Sequence, residues 1–264
     1  YGNHPELPVF VGEMPLDVHA PGCYTSQAEM KRYNRRNEQL ADAAERSAVI
    51  ADWMGAVPYP KEALNDAWKR FLWHQFHDDL TGTSIWEAYT YSWNDEFLAQ
   101  GQFCDVILAS AGAAASVMDT RAKGSPVLVY NPAAYSRRSL VEATVDLPAE
   151  AEGVAVYAPD GKAVPAQIVA RDGARATVLF AAAMEPVSYA VYDVRAGKAG
   201  KGKVLRASDN TLENRVYKVT LDANGDIASV IDKRNGRDLV EKGKAFRLAV
   251  LTPNVSNRYP AWEI

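Results

Sequence analysis

Phe76-His77-Asp78-Asp79-Leu80-Thr81-Gly82-Thr83-Ser84-Ile85 decides the fold of this chain, because it separates one helical pattern from the next. A histidine, two carboxylates and two threonines gather where backbone N–H and C=O groups lack intrahelical partners, a natural place for polar chemistry. Upstream, Pro60 suits the first position of a helix. Ala63, Leu64, Ala67, Trp68, Phe71 and Leu72 give that helix an apolar face running to about Gln75. Downstream, a helix is predicted from Ser84 to about Met118, with Ile85, Tyr89, Trp93, Phe97, Leu98, Phe103, Val106 and Ile107 as its buried face. Gly101 and Gly112 are soft spots within it rather than ends.

Further toward the N-terminus, Ser26-Gln27-Ala28-Glu29 reads as a capping box, with serine at the N-cap and glutamate three residues on. Met30, Tyr33, Leu40, Ala44, Ala48 and Ala51 then recur at helical spacing to about Met54, where Gly55 closes the helix. Three helices joined by short turns predict an antiparallel bundle over residues 25–120. Residues 1–24, broken by prolines, read as an extended arm.

Composition changes near Arg121-Ala122-Lys123-Gly124-Ser125-Pro126. Val127–Tyr130 is followed by alternating runs at Leu140–Leu147, Val154–Ala158, Ala166–Ala170, Ala176–Phe180 and Ser188–Val194, with turns such as Pro159-Asp160-Gly161 and Asp172-Gly173 between them. Short strands with regular turns predict an antiparallel sandwich over 126–195. Residues 196–203 form a Gly/Lys-rich link. Residues 204–264 open a further β-domain, in which Arg215–Leu221 and Ile227–Ile231 make a hairpin around Asp222-Ala223-Asn224-Gly225. The fold class is therefore α+β, an antiparallel three-helix bundle followed by antiparallel β-sandwich strands.

The chain has 264 residues, 48% of them hydrophobic, enough to build a packed core. The net charge of -4 comes without a basic stripe, which argues against a nucleic-acid partner. No run of 18 apolar residues suggests a membrane span. Two isolated cysteines, Cys23 and Cys104, fit a reducing compartment better than a disulfide framework. The sequence reads as an internal piece of a longer protein.

Each candidate for chemistry has a plainer reading beside it. His74 and His77, at i and i+3 on one helix face, suit a shared metal. The plainer reading is a core or helix-capping imidazole. Thr81-Gly82-Thr83-Ser84 suits anion or hydroxyl binding, but N-capping by Thr83 or Ser84 is the simpler role. Glu13, Asp17 and His19 lie in the arm, where a carboxylic acid suits general-acid work if the arm lines a cleft. Otherwise they are solvated loop groups. Tyr24 and Trp53, Trp68, Trp73, Trp86 and Trp93 suit sugar stacking, though at helical spacing aromatics are mostly core.

In this order the segments resemble glycoside hydrolase family 38, the zinc-dependent alpha-mannosidases. Gly22-Cys23-Tyr24-Thr25-Ser26-Gln27-Ala28, with Lys31-Arg32-Tyr33-Asn34-Arg35, is similar to the entry into that family's helical middle domain. Gln75-Phe76-His77-Asp78-Asp79-Leu80-Thr81-Gly82-Thr83 is similar to its His-Asp motif. Tyr130-Asn131-Pro132 resembles the start of its β region, and Leu212-Glu213-Asn214 with Tyr217, Val219, Asp222, Gly225, Ile227, Ser229 and Asp232 the opening of its C-terminal β-domain.

The resemblance implies a retaining glycosidase acting on terminal alpha-mannosides, with a zinc ion that binds hydroxyls of the mannose. On it, His77 is a zinc ligand, Asp78 accepts hydrogen bonds from the sugar, Tyr24 lines the cleft, and Asp17, with Glu13 as the alternative, is the general acid. Residues 1–24 become an arm from a catalytic domain that carries the nucleophile and the remaining zinc ligands. The piece is then expected to be inactive alone, with mannose-containing glycans as partners, a bacterial-type cytoplasmic location, and an exposed apolar bundle face that favours homo-oligomers. The alternative is a non-catalytic module of bundle and sandwich that binds carbohydrate or protein.

Overall fold

A computed structural model describes Glu6, residues 9–12, residues 20–198 and residues 205–247. The chain folds as a helical unit up to Val117 and a strand unit from Met118, each with its own core.

In the helical unit a 3-10 turn, Pro21–Tyr24, precedes α1 (Ala28–Trp53), α2 (Lys61–Trp73), α3 (His77–Thr81) and α4 (Trp86–Val117). Ring and polar contacts fix the helix directions. Tyr33 meets Phe97 and Asn37 meets Glu96, while farther along Glu45 takes a hydrogen bond from Trp68, which packs on Phe103. Contacts thus advance together on α1 and α4. On α2 they recede, since Trp68 meets Phe103 but His74 meets Asp95. The bundle runs up, down and up, as short connections require.

Its core pairs small residues with large ones. Ala41, Ala44, Ala48, Ala67 and Ala99 are fully buried, and the space they leave is filled by Leu64, Phe71 and Phe103. Phe103 stands edge-on to Trp68 at 5.8 Å and to Phe71 at 6.5 Å, the geometry that aromatic quadrupoles favour.

Three local expectations are corrected. The capping box does not form: Gln27, in the left-handed region at φ 50°, is the N-cap of α1 and makes no side-chain cap bond. Glu29 pairs with Arg32 at 2.6 Å instead. On α4 the buried stripe is Tyr89, Ser92, Glu96, Ala99, Phe103, Val106, Ser110 and Ala114, while Ile85, Trp93, Phe97 and Leu98 are exposed. Ala63 and Leu72 of α2 are also exposed. By contrast, α1 ends as its glycine suggests. Gly55 has φ 68°, its N–H bonds the Asp52 carbonyl, and the Ala56 N–H bonds Ala51, a Schellman motif.

The strand unit opens with β1 (Ser125–Asn131), β2 (Arg137–Asp146), β3 (Val154–Tyr157), β4 (Ala163–Val164), β5 (Ala166–Asp172), β6 (Arg175–Met184) and β7 (Ser188–Ala196). They form two sheets, ordered β1-β7-β3-β4 and β2-β6-β5, with antiparallel pairing throughout. Alternation decides which face is inside: Ala176, Val178, Phe180, Ala182 and Met184 of β6 point into a core shared with Val154, Val156, Tyr192 and Val194. The Tyr192 hydroxyl donates to the Ala183 carbonyl at 2.8 Å and accepts its N–H at 2.9 Å, tying β7 to β6 across the two sheets.

A third sheet, ordered β12-β11-β10-β9-β8, is built from β8 (Arg206–Ala207), β9 (Thr211–Glu213), β10 (Tyr217–Leu221), β11 (Ile227–Asp232) and β12 (Arg237–Asp238). The expected hairpin is β10–β11. Its turn has Gly225 at φ 83° and is braced by Asp222 Oδ1, which accepts the N–H groups of Asn224 and Asp226. Sequence reading did not single out β4, β8 or β12, which are two residues each. No helix among the described residues is long and apolar enough to cross a membrane.

Candidate functional site

The stretch that breaks the helical pattern folds as α3, a single turn between α2 and α4. His74 and His77 consequently do not share a helix face. His74 is the C-cap of α2, while His77 begins α3. The shared-metal expectation for the pair is thereby corrected, and the two imidazoles have opposite surroundings. The His74 side chain is 5% exposed, with Nδ1 at 2.9 Å from Asp79 Oδ2 and Nε2 at 3.2 Å from Asp95 Oδ2. The His77 side chain is 77% exposed, with Nε2 at 3.5 Å from Asp78 Oδ2.

Backbone geometry closes the turn behind these residues. Gly82 has φ 89°, its N–H bonds the Asp79 carbonyl at 3.2 Å, and the Thr83 N–H bonds the Asp78 carbonyl at 3.0 Å. This is a second Schellman motif, and it requires a residue tolerant of the left-handed region. Glycine is required for room as well, because a Cβ on Gly82 would lie 2.6 Å from the Ser26 Cβ. That contact, with Lys31 Nζ donating to the carbonyls of both Ser26 and Leu80, ties the end of α3 to the start of α1. Burial holds the Lys31 ammonium below its usual pKa.

The hydroxyls after the turn do not serve α4 as caps. Thr83 Oγ1 donates to Asp78 Oδ1 at 2.7 Å, and Ser84 Oγ to Asp79 Oδ1 at 2.8 Å. Ser92 Oγ of α4 donates to Asp79 Oδ2 at 3.1 Å. The Tyr89 hydroxyl donates to the Asp78 carbonyl at 3.1 Å and receives the Ser84 N–H at 3.2 Å. Burial on its own raises the Asp79 carboxyl, but the hydrogen bonds from His74, Ser84 and Ser92 outweigh it and hold the group below the usual carboxylate value. Burial pushes the Tyr89 phenol up.

The result is one turn with two faces. Asp79 looks inward and is saturated with donors. His77 and Asp78 look outward, presenting an imidazole and a carboxylate side by side. Tyr24, 55% exposed, lies two residues before the Ser26 that touches Gly82. Asp17 and Glu13 lie outside the described residues. Around the turn, Trp73, Phe76, Ile85 and Trp86 are all exposed. Trp53 and Trp93 are exposed too, so the core reading of the tryptophans is corrected for all but Trp68, which donates to Glu45 at 2.7 Å.

Beneath the turn lies a pair that sequence reading missed. Asn37 of α1 and Glu96 of α4 are both fully buried. Asn37 Nδ2 donates to the Glu96 carboxylate and, at 3.1 Å, to the Glu96 carbonyl. Asn37 Oδ1 and Glu96 Oε1 have no partner. Burial pushes the Glu96 carboxyl up to about 7, against the pull of Asn37 and His74, and Asp79 and Asp95 add to the rise. The available signal was periodicity, since Ser92, Glu96, Ala99 and Phe103 lie on one stripe of α4 and put a carboxyl at a core position.

A helical unit that carries this outward His-Asp turn between its second and last long helices matches a known domain: residues 19–111 match the alpha mannosidase middle domain. Residues 19–111 thus carry the alpha mannosidase middle domain, and the chain as a whole is similar to alpha-mannosidases. It is 25% identical over 264 residues to alpha-mannosidase 2C1 of Mus musculus, covering 98% of this chain and 23% of that protein. It is 37% identical over 91 residues to an alpha-mannosidase of Saccharomyces cerevisiae, covering 33% of this chain and 8% of that protein. Among solved structures, a glycosyl hydrolase family 38 protein from Enterococcus faecalis superposes with a TM-score of 0.67 at 22% identity, over 88% of this chain and 32% of that one. An alpha-mannosidase from Enterococcus faecalis V583 does so at 0.66 and 21% identity, over 83% and 29%. The chain thus spans less than a quarter of the length of the mouse relative.

Proposed function

We propose that this chain supplies the helical wall of the catalytic cleft in a retaining, zinc-dependent alpha-mannosidase that hydrolyses terminal alpha-mannosides. The observation that supports this reading is the outward pair His77 and Asp78 on a turn whose other polar groups are committed to the scaffold. Solvated helix ends need no such internal bracing.

The donor chemistry fits zinc, which takes imidazole nitrogen and carboxylate oxygen. Among the described residues no group of three or more His, Cys, Asp or Glu could hold a metal ion. His77 would therefore be one ligand of an ion completed elsewhere in the longer protein. When bound, zinc supplies a Lewis acid for the hydroxyls of the sugar. Asp78, oriented by the Thr83 hydroxyl at 2.7 Å, accepts hydrogen bonds from those hydroxyls. Tyr24 lines the same cleft. Retention requires a second carboxyl that protonates the leaving oxygen and then activates water. Asp17 is assigned that role, with Glu13 as the alternative. The nucleophile belongs to the rest of the protein, so these residues alone do not turn over substrate. The exposed Trp73, Phe76, Ile85 and Trp86 belong to surface that the rest of the protein covers.

The full-length protein tests this with an aryl alpha-mannoside, product configuration by NMR, and metal content by mass spectrometry. Release of alpha-mannose first, with zinc and rate both lost in His77→Ala, supports the reading. Unchanged zinc and rate in that variant would reduce His77 to a solvated helix-end residue.

A further inference from the structure

The three acidic and basic groups that open α3 are not equivalent. Side chains of His77 and Asp78 are 77% and 43% exposed, whereas that of Asp79 is 13% exposed. Both Asp79 oxygens are engaged, Oδ1 by Ser84 at 2.8 Å and Oδ2 by His74 at 2.9 Å and Ser92 at 3.1 Å. His74 is in turn fixed by Asp95 at 3.2 Å, and Asp95 by Arg70 at 2.7 Å.

We propose that Asp79 is a positioning residue, which sets the angle at which α3 presents His77 and Asp78 through its bonds to His74, Ser84 and Ser92. The proposal rests on the reading of His77 and Asp78 given above. A five-residue helix cannot define its own direction, because one turn forms too few hydrogen bonds to offset its nucleation. Its direction comes from its anchors. Lys31 and the Ser26–Gly82 contact hold the far end of the turn. Asp79 holds the near end, two residues from His77, and joins it to the cap of α2 and to α4. Asp79 itself faces away from the surface that carries His77 and Asp78. Releasing it leaves both outward groups in place chemically but lets the turn tilt. A tilt that moves reacting groups by about 1 Å costs on the order of 100-fold in rate.

The test uses the full-length protein in four variants, Asp79→Ala, Asp79→Asn, His77→Ala and Val106→Ala. The readouts are kcat and KM on an aryl alpha-mannoside, zinc affinity by chelator competition, and thermal midpoint. Asp79→Ala is expected to lose about 10- to 100-fold in kcat/KM, mostly in kcat, and to bind zinc more weakly. Asp79→Asn keeps the shape and an acceptor toward His74, while the Ser84 hydroxyl can turn to accept, so it is expected to recover most of the loss. Val106→Ala, a core truncation away from the turn, controls for stability and is expected to keep the rate. If Asp79→Ala keeps kcat/KM and zinc affinity within twofold while His77→Ala loses both, the positioning role is wrong and the reading of His77 stands. If His77→Ala also keeps both, that underlying reading fails instead. Should Asp79→Ala not fold, Ser84→Ala and Ser92→Ala, which each remove one donor, carry the same expectation at about threefold each, and unchanged kinetics in both overturn it.

Discussion

Glu96→Gln is expected to stabilise the helical unit at pH 8 and to remove a pH dependence that the native chain carries. Glu96 is fully buried on α4, and its carboxyl is pushed up to about 7 from an ordinary 4.5. Because the folded value is the higher one, the native state holds this proton more tightly than the unfolded chain. Stability from Glu96 is therefore fully present below about pH 4.5 and is lost as pH rises through 7. At 1.36 kcal/mol per pH unit, the loss between those limits is about 3 kcal/mol. A proton on Glu96 also supplies a donor where its Oε1 and Asn37 Oδ1 otherwise stand unpartnered. Glutamine imitates that neutral form. Urea unfolding of this chain, followed by helical circular dichroism at pH 5 and pH 8, measures the effect. The native chain should lose about 2 to 3 kcal/mol across that interval beyond any change in the variant, with the variant the more stable at pH 8. Parallel pH profiles for the two proteins, or a variant less stable at pH 8, would refute the reasoning. Asp79 does not confuse the experiment, since its lowered value places its contribution below pH 3.8, where stability is lost on acidification.

Three further outcomes follow. Gly82→Ala adds a Cβ in a left-handed conformation, 2.6 Å from Ser26, and should cost about 2 kcal/mol or more in urea unfolding, where Gly55→Ala, with open space around it, should cost less. Phe103→Ala empties the centre of the bundle core and should cost about 3 to 5 kcal/mol in the same assay. His77→Ala, at an exposed position, should change the stability of this chain by no more than about 0.5 kcal/mol by the same unfolding measurement; a larger loss would make His77 structural.

Where sequence reading succeeded, a periodic or conformational rule was dominant. The apolar spacing of α1, the glycine behind it, and the Asn224-Gly225 turn of β10–β11 each express one local preference that the fold leaves unopposed. It failed where tertiary contacts chose among local options. Ser26 and Glu29 have the letters of a capping box, but the Ser26 carbonyl is claimed by Lys31 and the residue packs on Gly82, so the helix starts at Ala28. On α4, counting apolar letters selected Trp93, Phe97 and Leu98. The bundle instead buries a stripe that includes Ser92, Glu96 and Ser110. In the candidate site, the special character of the His-Asp segment was legible from residue types alone. The division of labour was not, because His74 and His77 differ only through the α2 end between them and through Asp79 and Asp95, which are 5 and 21 residues away from His74.

The most direct measurement is the zinc-edge anomalous difference map of the full-length protein. A peak about 2.0 to 2.1 Å from a ring nitrogen of His77, with Asp78 beside it and Asp79 still bonded to His74, is the expected result. Zinc bound elsewhere, with His77 pointing into solvent, would contradict the central claim that α3 presents His77 to the metal.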